Sequence, residues 1–317
     1  MHLFHTLSEA TVTGPTVLTI GTFDGLHKGH QYLISQLKAQ AQSRQAQSAV
    51  IAFHPRPKTV LAPHLPGNDY LTTPAERIAL FEAAGLDVLV LTPFTLEIAH
   101  TTAYDFVKMI VEQLNVVQLC VGHDFALGKN REGNVEKLTA LGREFNYTIC
   151  DIEPFLLDGK VVSSTQVRQQ VVAGNVRQAA YLLGRYPALT SKVVQGARRG
   201  RTIGFPTANF AVPPERLLPA NGVYASFIRH PGRTQRLPGV TNVGIRPSFD
   251  GQERTVETFI FDFNEDIYHQ ILTLEFVEYL RPEKKFNGID QLVAQITQDA
   301  KQARVLLANE VASLVFE

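Results

Sequence analysis

Over roughly the first 185 residues, short apolar runs alternate with longer amphipathic ones. The runs are VLTIG (17–21), AVIAF (49–53), DVLVL (87–91), VQLCVG (117–122) and YTICDI (147–152). Each is apolar on both faces and rich in Val and Ile, as strands of a sheet covered on both sides must be. Between them the apolar period lengthens to that of a helix. Residues 30–42 carry Leu33, Ile34 and Leu37 on one side, and residues 103–114 carry Phe106, Val107, Ile110 and Leu114. A third helix is predicted over 74–84, with Thr73 as cap, Pro74 at the first position and Glu76 at the third. Repeated strand–helix units predict a doubly wound α/β domain. Its ligands are then expected beyond the carboxyl ends of the strands, where GTFDGLHKGH, FHPRP, TPFT and GHDFALGKNREG all fall.

Farther along, the helical period disappears. KVVQG, GVYASFI, RLPGVTNVG, TVETFIFDF and ILTLEFVEYL are short or alternating and are separated by turns such as PANG and HPGR. This predicts an antiparallel barrel or sandwich, closed by one amphipathic helix with Ile289, Leu292, Val293 and Ile296 on one face, continuing toward Val305 and Leu306. The boundary is expected within LLGRYPALT, giving domains 1–184 and 185–317.

Composition narrows the partners. Basic and acidic residues stand at 30 each, so no global field draws the chain to nucleic acid or an anionic membrane, and anion binding must be local. Apolar residues at 44% suit a folded core, and no window has the length of a membrane span. MHLFHTLSEA lacks the features of a signal peptide, and Cys120 and Cys150 read as reduced core residues, with a disulfide as the alternative. A cytoplasmic protein acting on small molecules is expected; the pattern leaves oligomeric state undetermined.

Candidate chemistry concentrates in two places. In GTFDGLHKGH, residues 21–30, a glycine turn between strand and helix aims backbone N–H groups and a helix N-terminus at one point, which favours phosphate. His27 and His30 can donate to phosphate oxygens there; a histidine metal pair and a plain turn are the other readings of the same spacing. In GARRGRTIGFPTANF, residues 196–210, glycines allow close backbone approach, and Thr207 and Asn209 offer hard oxygens suited to Mg²⁺ beside ATP phosphates. Arg198, Arg199 and Arg201 are either a solvated loop or phosphate contacts. In TVETFIFDF, alternation puts Glu257 with Phe259, Phe261 and Phe263. At the mouth of a barrel such a carboxylate is a candidate general base, with aromatics to pack a flat ring.

These strings resemble the bacterial bifunctional riboflavin kinase/FMN adenylyltransferases, also called FAD synthetases. G-x-F-D-G-x-H-x-G-H resembles their HxGH nucleotidyltransferase motif, GHDFALGKNREGN and VSSTQVRQQVVAGN resemble two further segments, and PTAN resembles the kinase signature. The resemblance implies a Rossmann-like nucleotidyltransferase domain followed by a riboflavin kinase barrel. It implies that His27 and His30 stabilise the adenylyl transition state. Nucleotide contacts are implied at Gly21, Phe23, Asp24, Gly29, Asp124, Phe125, Ser163, Ser164, Thr165 and Arg168, and in the kinase at Gly204, Phe205, Thr207 and Asn209. Thr207 and Asn209 are the implied Mg²⁺ ligands, Glu257 the implied base, and ATP, riboflavin and FMN the implied substrates. One departure stands out: where the family commonly has F-x-P-H-P, this chain has Phe53-His54-Pro55-Arg56-Pro57, so Arg56 replaces a histidine that could meet flavin phosphate. An alternative is therefore a single-activity riboflavin kinase whose N-terminal half is a degraded nucleotide-binding module.

Overall fold

The computed structural model describes residues 1–62, 64, 69–122, 125–196, 199–248 and 251–313. Asp124 and Arg198, both singled out above, lie outside them. The chain forms two compact units, Met1–Ser164 and Thr165–Glu317.

The five expected runs of the first unit are all strands: β2 (Thr16–Gly21), β3 (Gln47–Phe53), β4 (Val88–Thr92), β5 (Val116–Val121) and β6 (Thr148–Asp151). A sixth, β1 (His2–Phe4), pairs in parallel with β4 through His2↔Val88. Three residues, none fully buried, carry too little period to announce themselves. The sheet is parallel throughout, in the order β1-β4-β3-β2-β5-β6.

Its helices are α1 (Lys28–Ser43), α2 (Pro57–Leu61), α3 (Pro74–Ala83), α4 (Leu96–His100), α5 (Ala103–Leu114) and α6 (Val135–Phe145). Alternate strand residues serve opposite faces. Leu18, Ile20, Ala49 and Ile51 pack with Phe106, Ile110 and Leu138 of α5 and α6. Val17, Val50 and Ala52 pack with Ile34, Leu37 and Phe81 of α1 and α3. Caps set where helices begin. Thr73 accepts from the Glu76 N–H at 3.2 Å while Glu76 accepts from the Thr73 N–H at 2.8 Å, a reciprocal box worth about 1 kcal/mol. Cys120 and Cys150 are register partners on β5 and β6, and both are free thiols. Burial pushes the Cys120 thiol pKa well above its ordinary value.

Strand β2 has β3 on one side and β5 on the other: the chain runs outward through β3 and β4, then returns. That reversal opens a crevice at the carboxyl end of β2, the point from which GTFDGLHKGH departs. A short hairpin, β7 (Leu156–Leu157) and β8 (Lys160–Val161), follows β6, with Asp158 and Gly159 at positive φ in its turn.

The second unit begins at the second residue of α7 (Ser164–Val172), which is followed by α8 (Val176–Leu183). Its strands are β9 (Ala188–Val194), β10 (Ala208–Phe210), β11 (Gly222–Arg229), β12 (Leu237–Ser248), β13 (Gly251–Ile260) and β14 (Ile271–Arg281). They form a closed antiparallel barrel in the order β10-β13-β12-β11-β14-β9, sealed where Asn209 of β10 meets Val194 of β9. A one-turn helix α9 (Arg199–Thr202) joins β9 to β10, and α10 (Ile289–Ser313) ends the described chain. Within the second unit α8 packs on β14, with Val176 in the barrel's core and Arg177 paired with Glu278.

Val193, Tyr224, Val243, Val256 and Phe276 fill the barrel interior. Val223, Phe227, Val240, Phe261 and Val277 form a separate layer with Ala303 and Leu307 of α10. The expected helix face is thus partly corrected. Leu292 and Ile296 line a cavity, but Ile289 and Val305 are 64% and 59% exposed, and the inward stripe continues through Ala303 and Leu307.

Candidate active sites

In the first unit, β2 ends at Gly21 and the chain folds sharply before α1. Phe23, Gly25 and Leu26 take positive φ values of 49°, 81° and 37°. That strain is held because Phe23 and Leu26, each 2% exposed, plug into the core, with Phe23 edge-on to Phe81 at 5.5 Å. Gly25 is required by space as well, since a Cβ there would lie 2.7 Å from the Leu71 side chain. His27 is the N-cap of α1, and its Nδ1 accepts from the His30 N–H at 3.4 Å. The two imidazoles stack with centroids 3.7 Å apart, and Phe23 packs on His30 at 5.1 Å. A helix N-terminus is in itself a favourable place for an anion. Gly29 lets the rings and the chain close up: a Cβ there would be 3.2 Å from His27 and 3.3 Å from the Val162 carbonyl oxygen.

Asp24, an expected nucleotide contact, also has partners within the protein. It is 1% exposed and its carboxylate accepts from the Leu71 N–H (3.1 Å), the Thr72 N–H (3.0 Å) and the Thr72 hydroxyl (3.0 Å). Thr72 in turn accepts from the Gly25 N–H at 3.0 Å. The visible work of this carboxylate is to pin the turn to residues 71–72. Asp24→Asn would set an amide against these donors and should cost about 1–3 kcal/mol, read as a fall in urea-unfolding midpoint; an unchanged midpoint would refute the pinning.

Sequence reasoning missed Arg77 of α3, which is fully buried and donates to the carbonyls of Thr22 and Phe53, both at 3.0 Å. It ties the carboxyl ends of β2 and β3 together; an arginine inside an apolar helical period was the only signal. Ser164 joins the turn, its hydroxyl donating to the Asp24 carbonyl at 2.9 Å. Ser163 is adjacent in the chain, whereas Thr165 and Arg168 belong to the second unit. Phe125, in the loop after β5, packs against the α5/α6 face of the sheet, and its N–H donates to the Gly122 carbonyl at 2.9 Å.

In the second unit, Glu257 pairs in register with Asn209 of β10 on one side and Asn242 of β12 on the other. Its place corrects the expectation of a barrel mouth. Glu257 and Phe259 lie on the outer face of β13, in a cavity of about 350 Å³ whose far wall is Leu292 and Ile296 of α10. Phe263 leaves this face because the strand ends at Ile260 and Asp262 turns at φ 53°, which sends Phe263 into a second cavity of about 650 Å³. Phe205 meets Phe259 edge-on at 5.2 Å, and Phe259 meets Phe261 at 5.7 Å, making an aromatic wall.

Thr207 lines both cavities. Asn209 sits against Gly196, where a Cβ would come within 2.4 Å of its amide, and its Nδ2 donates to the Thr207 carbonyl at 3.5 Å. Gly200 is equally constrained, since a Cβ would be 2.2 Å from the Phe205 carbonyl oxygen, and Gly204 turns at φ 86°. Glu257 is one third exposed and pairs with Arg246 at 3.4 Å. Asn242 was legible only as part of GVTNVG; its place beside Glu257 follows from strand register. Arg201 lines the larger cavity.

A parallel sheet with a glycine–histidine turn at its switch point, and a closed barrel with a carboxylate in one of two cavities that share Thr207, fit a two-part nucleotide-dependent transferase. The family models agree: FAD synthetase matches residues 9–166 and riboflavin kinase residues 183–307. A bifunctional riboflavin kinase/FMN adenylyltransferase of Escherichia coli is 37% identical over 95% of both chains, and one of Listeria monocytogenes is 36% identical over 92% of this chain and 93% of its own. A solved Streptococcus pneumoniae structure described as a macrolide-efflux protein superposes with TM-score 0.86 at 31% identity, covering 95% of this chain and 98% of its own. Among the described residues, no helix is long and apolar enough to cross a membrane.

The chain belongs to the bifunctional riboflavin kinase/FMN adenylyltransferases. Its activities are phosphorylation of riboflavin to FMN by ATP, and adenylylation of FMN to FAD with release of pyrophosphate. With both halves matched, the single-activity alternative is set aside.

Proposed function

We propose that the kinase step takes place between the two barrel cavities, with riboflavin in the smaller and ATP in the larger. The observation that carries this reading is Thr207, which borders both. Glu257 takes the proton of the ribityl 5′-hydroxyl as that oxygen attacks the γ-phosphorus, and ADP leaves. The aromatic wall of Phe205 and Phe259 packs the isoalloxazine ring. Mg²⁺ fits here because a hydroxyl and an amide stand two residues apart on one short segment, and a cation that keeps waters and phosphate oxygens needs few protein ligands. Thr207 and Asn209 would hold it, and bound there it would neutralise phosphate charge.

The adenylyl step is assigned to the His27/His30 turn. An FMN phosphate oxygen attacks the α-phosphorus of ATP, pyrophosphate leaves, and the two imidazoles with the α1 N-terminus bear the developing charge. Small molecules are its partners, and the two free thiols favour a reducing cytoplasm.

The test is a time course with riboflavin, ATP and Mg²⁺, separated by chromatography. FMN should rise first and FAD follow, with chelation by EDTA stopping the kinase step. Thr207→Ala should lower the FMN rate at least about tenfold and raise the Mg²⁺ requirement, while supplied FMN still becomes FAD. An unchanged Mg²⁺ dependence would remove Thr207 from the metal.

A further inference from the structure

Arg56, the residue that departs from the family's usual histidine, is 7% exposed. Its guanidinium pairs with the Asp69 carboxylate and lies 4.8 Å from the centre of the Tyr70 ring. Its backbone N–H donates to the Tyr70 hydroxyl at 3.0 Å, and that hydroxyl also bonds Thr59 Oγ1 at 3.1 Å. The residues after Tyr70 are Leu71 and Thr72, on which Asp24 hangs the histidine turn. A continuous set of contacts therefore runs from Arg56 through Asp69 and Tyr70 to Thr72, then to Asp24, Gly25 and the N-cap His27.

We propose that the Arg56–Asp69 pair is a positioning device for adenylyl transfer: it fixes residues 69–72 and so sets the placement of His27 and His30. This rests on the assignment of that step to the histidine turn. The guanidinium is held by the Asp69 carboxylate and the Tyr70 ring face with its Nε buried and unbonded, and under this proposal Arg56 shapes the site and leaves the flavin phosphate to other donors. Misplacement of a catalytic group by about 1 Å costs about 10²-fold in rate, which bounds the effect.

The experiment measures FAD formation from supplied FMN, and FMN formation by the same preparations, for Arg56→Ala, Asp69→Asn, the double variant, Arg56→Lys and, in parallel, His30→Ala. Arg56→Ala and Asp69→Asn should each lower kcat for FAD formation about tenfold or more, with KM for FMN changed less than about threefold. The double variant should be no worse than the poorer single one, and Arg56→Lys, which keeps the pair, should recover most of kcat. FMN formation should stay at wild-type rate throughout. A rise in KM for FMN with kcat retained, and no effect of Asp69→Asn, would overturn the proposal and make Arg56 a phosphate contact. Wild-type FAD formation in Arg56→Ala would overturn it as well. Should Arg56→Ala fail to fold, Asp69→Asn, which alters a side chain 32% exposed, decides alone. If His30→Ala also retains full FAD formation, the assignment of the histidine turn fails; if only His30→Ala is impaired, the positioning role alone fails.

Discussion

Glu257→Gln is expected to abolish FMN formation, lowering the initial rate by about 10²–10⁴-fold, while the same protein still converts supplied FMN to FAD. Gln matches Glu in size and keeps an oxygen in the cavity, so a large loss would report the missing base and not a changed shape. The site supports this through register: Asn209 and Asn242 flank Glu257 on adjacent strands, and Thr207 stands in the same cavity. Two structural accounts compete. If Glu257 only answered Arg246 at 3.4 Å, its exposed pair would be worth about 0–1 kcal/mol and its loss would leave turnover intact. If it held the fold, both activities would fall together. The discriminating measurement is the FMN rate beside the FAD rate, normalised to one preparation. Undiminished riboflavin phosphorylation by Glu257→Gln would sink the assignment.

Much of this arrangement could be read from the chain, and what could not has a common physical cause. Strands β2 to β5 announced themselves because covered parallel strands must be apolar on both faces. The Thr73 box was legible because a cap is a local hydrogen bond between residues three apart. Strand β1 was not, since its three residues are strand only through β4. Asp24 could be located in its motif, but its donors lie at 71 and 72, and no local pattern links positions so far apart. Glu257 could be placed on a face with Phe259, yet whether that face lined the barrel or met α10 depends on closure of the barrel and docking of a helix that follows it. Asn242 and Arg77 became visible for the same reason: their contacts are made by strand register and by the meeting of two strand ends.

The complementary expectation concerns His30→Ala, which should lower FAD formation by about 10²-fold or more and leave FMN formation near wild type. His30 lies in the first turn of α1, its ring stacked on His27 and supported by Phe23, so its imidazole is held before any ligand arrives. Preorganisation of this kind is what makes one donor worth about 2.7–4 kcal/mol in a transition state. Its neighbour is a less clean test. His27 caps the helix with its own Nδ1 and is 4% exposed, so His27→Ala would lose a cap worth about 1 kcal/mol along with any chemistry. His30 contributes only its backbone N–H to that cap, which alanine retains. The predicted fall should appear in kcat, with the KM values for ATP and FMN much less affected, because a group that meets charge as it develops acts on the transition state and little on the bound substrates. A rise in KM for ATP at constant kcat would make His30 a ground-state phosphate contact. Equal loss of FMN and FAD formation would overturn the assignment of the two steps to separate sites.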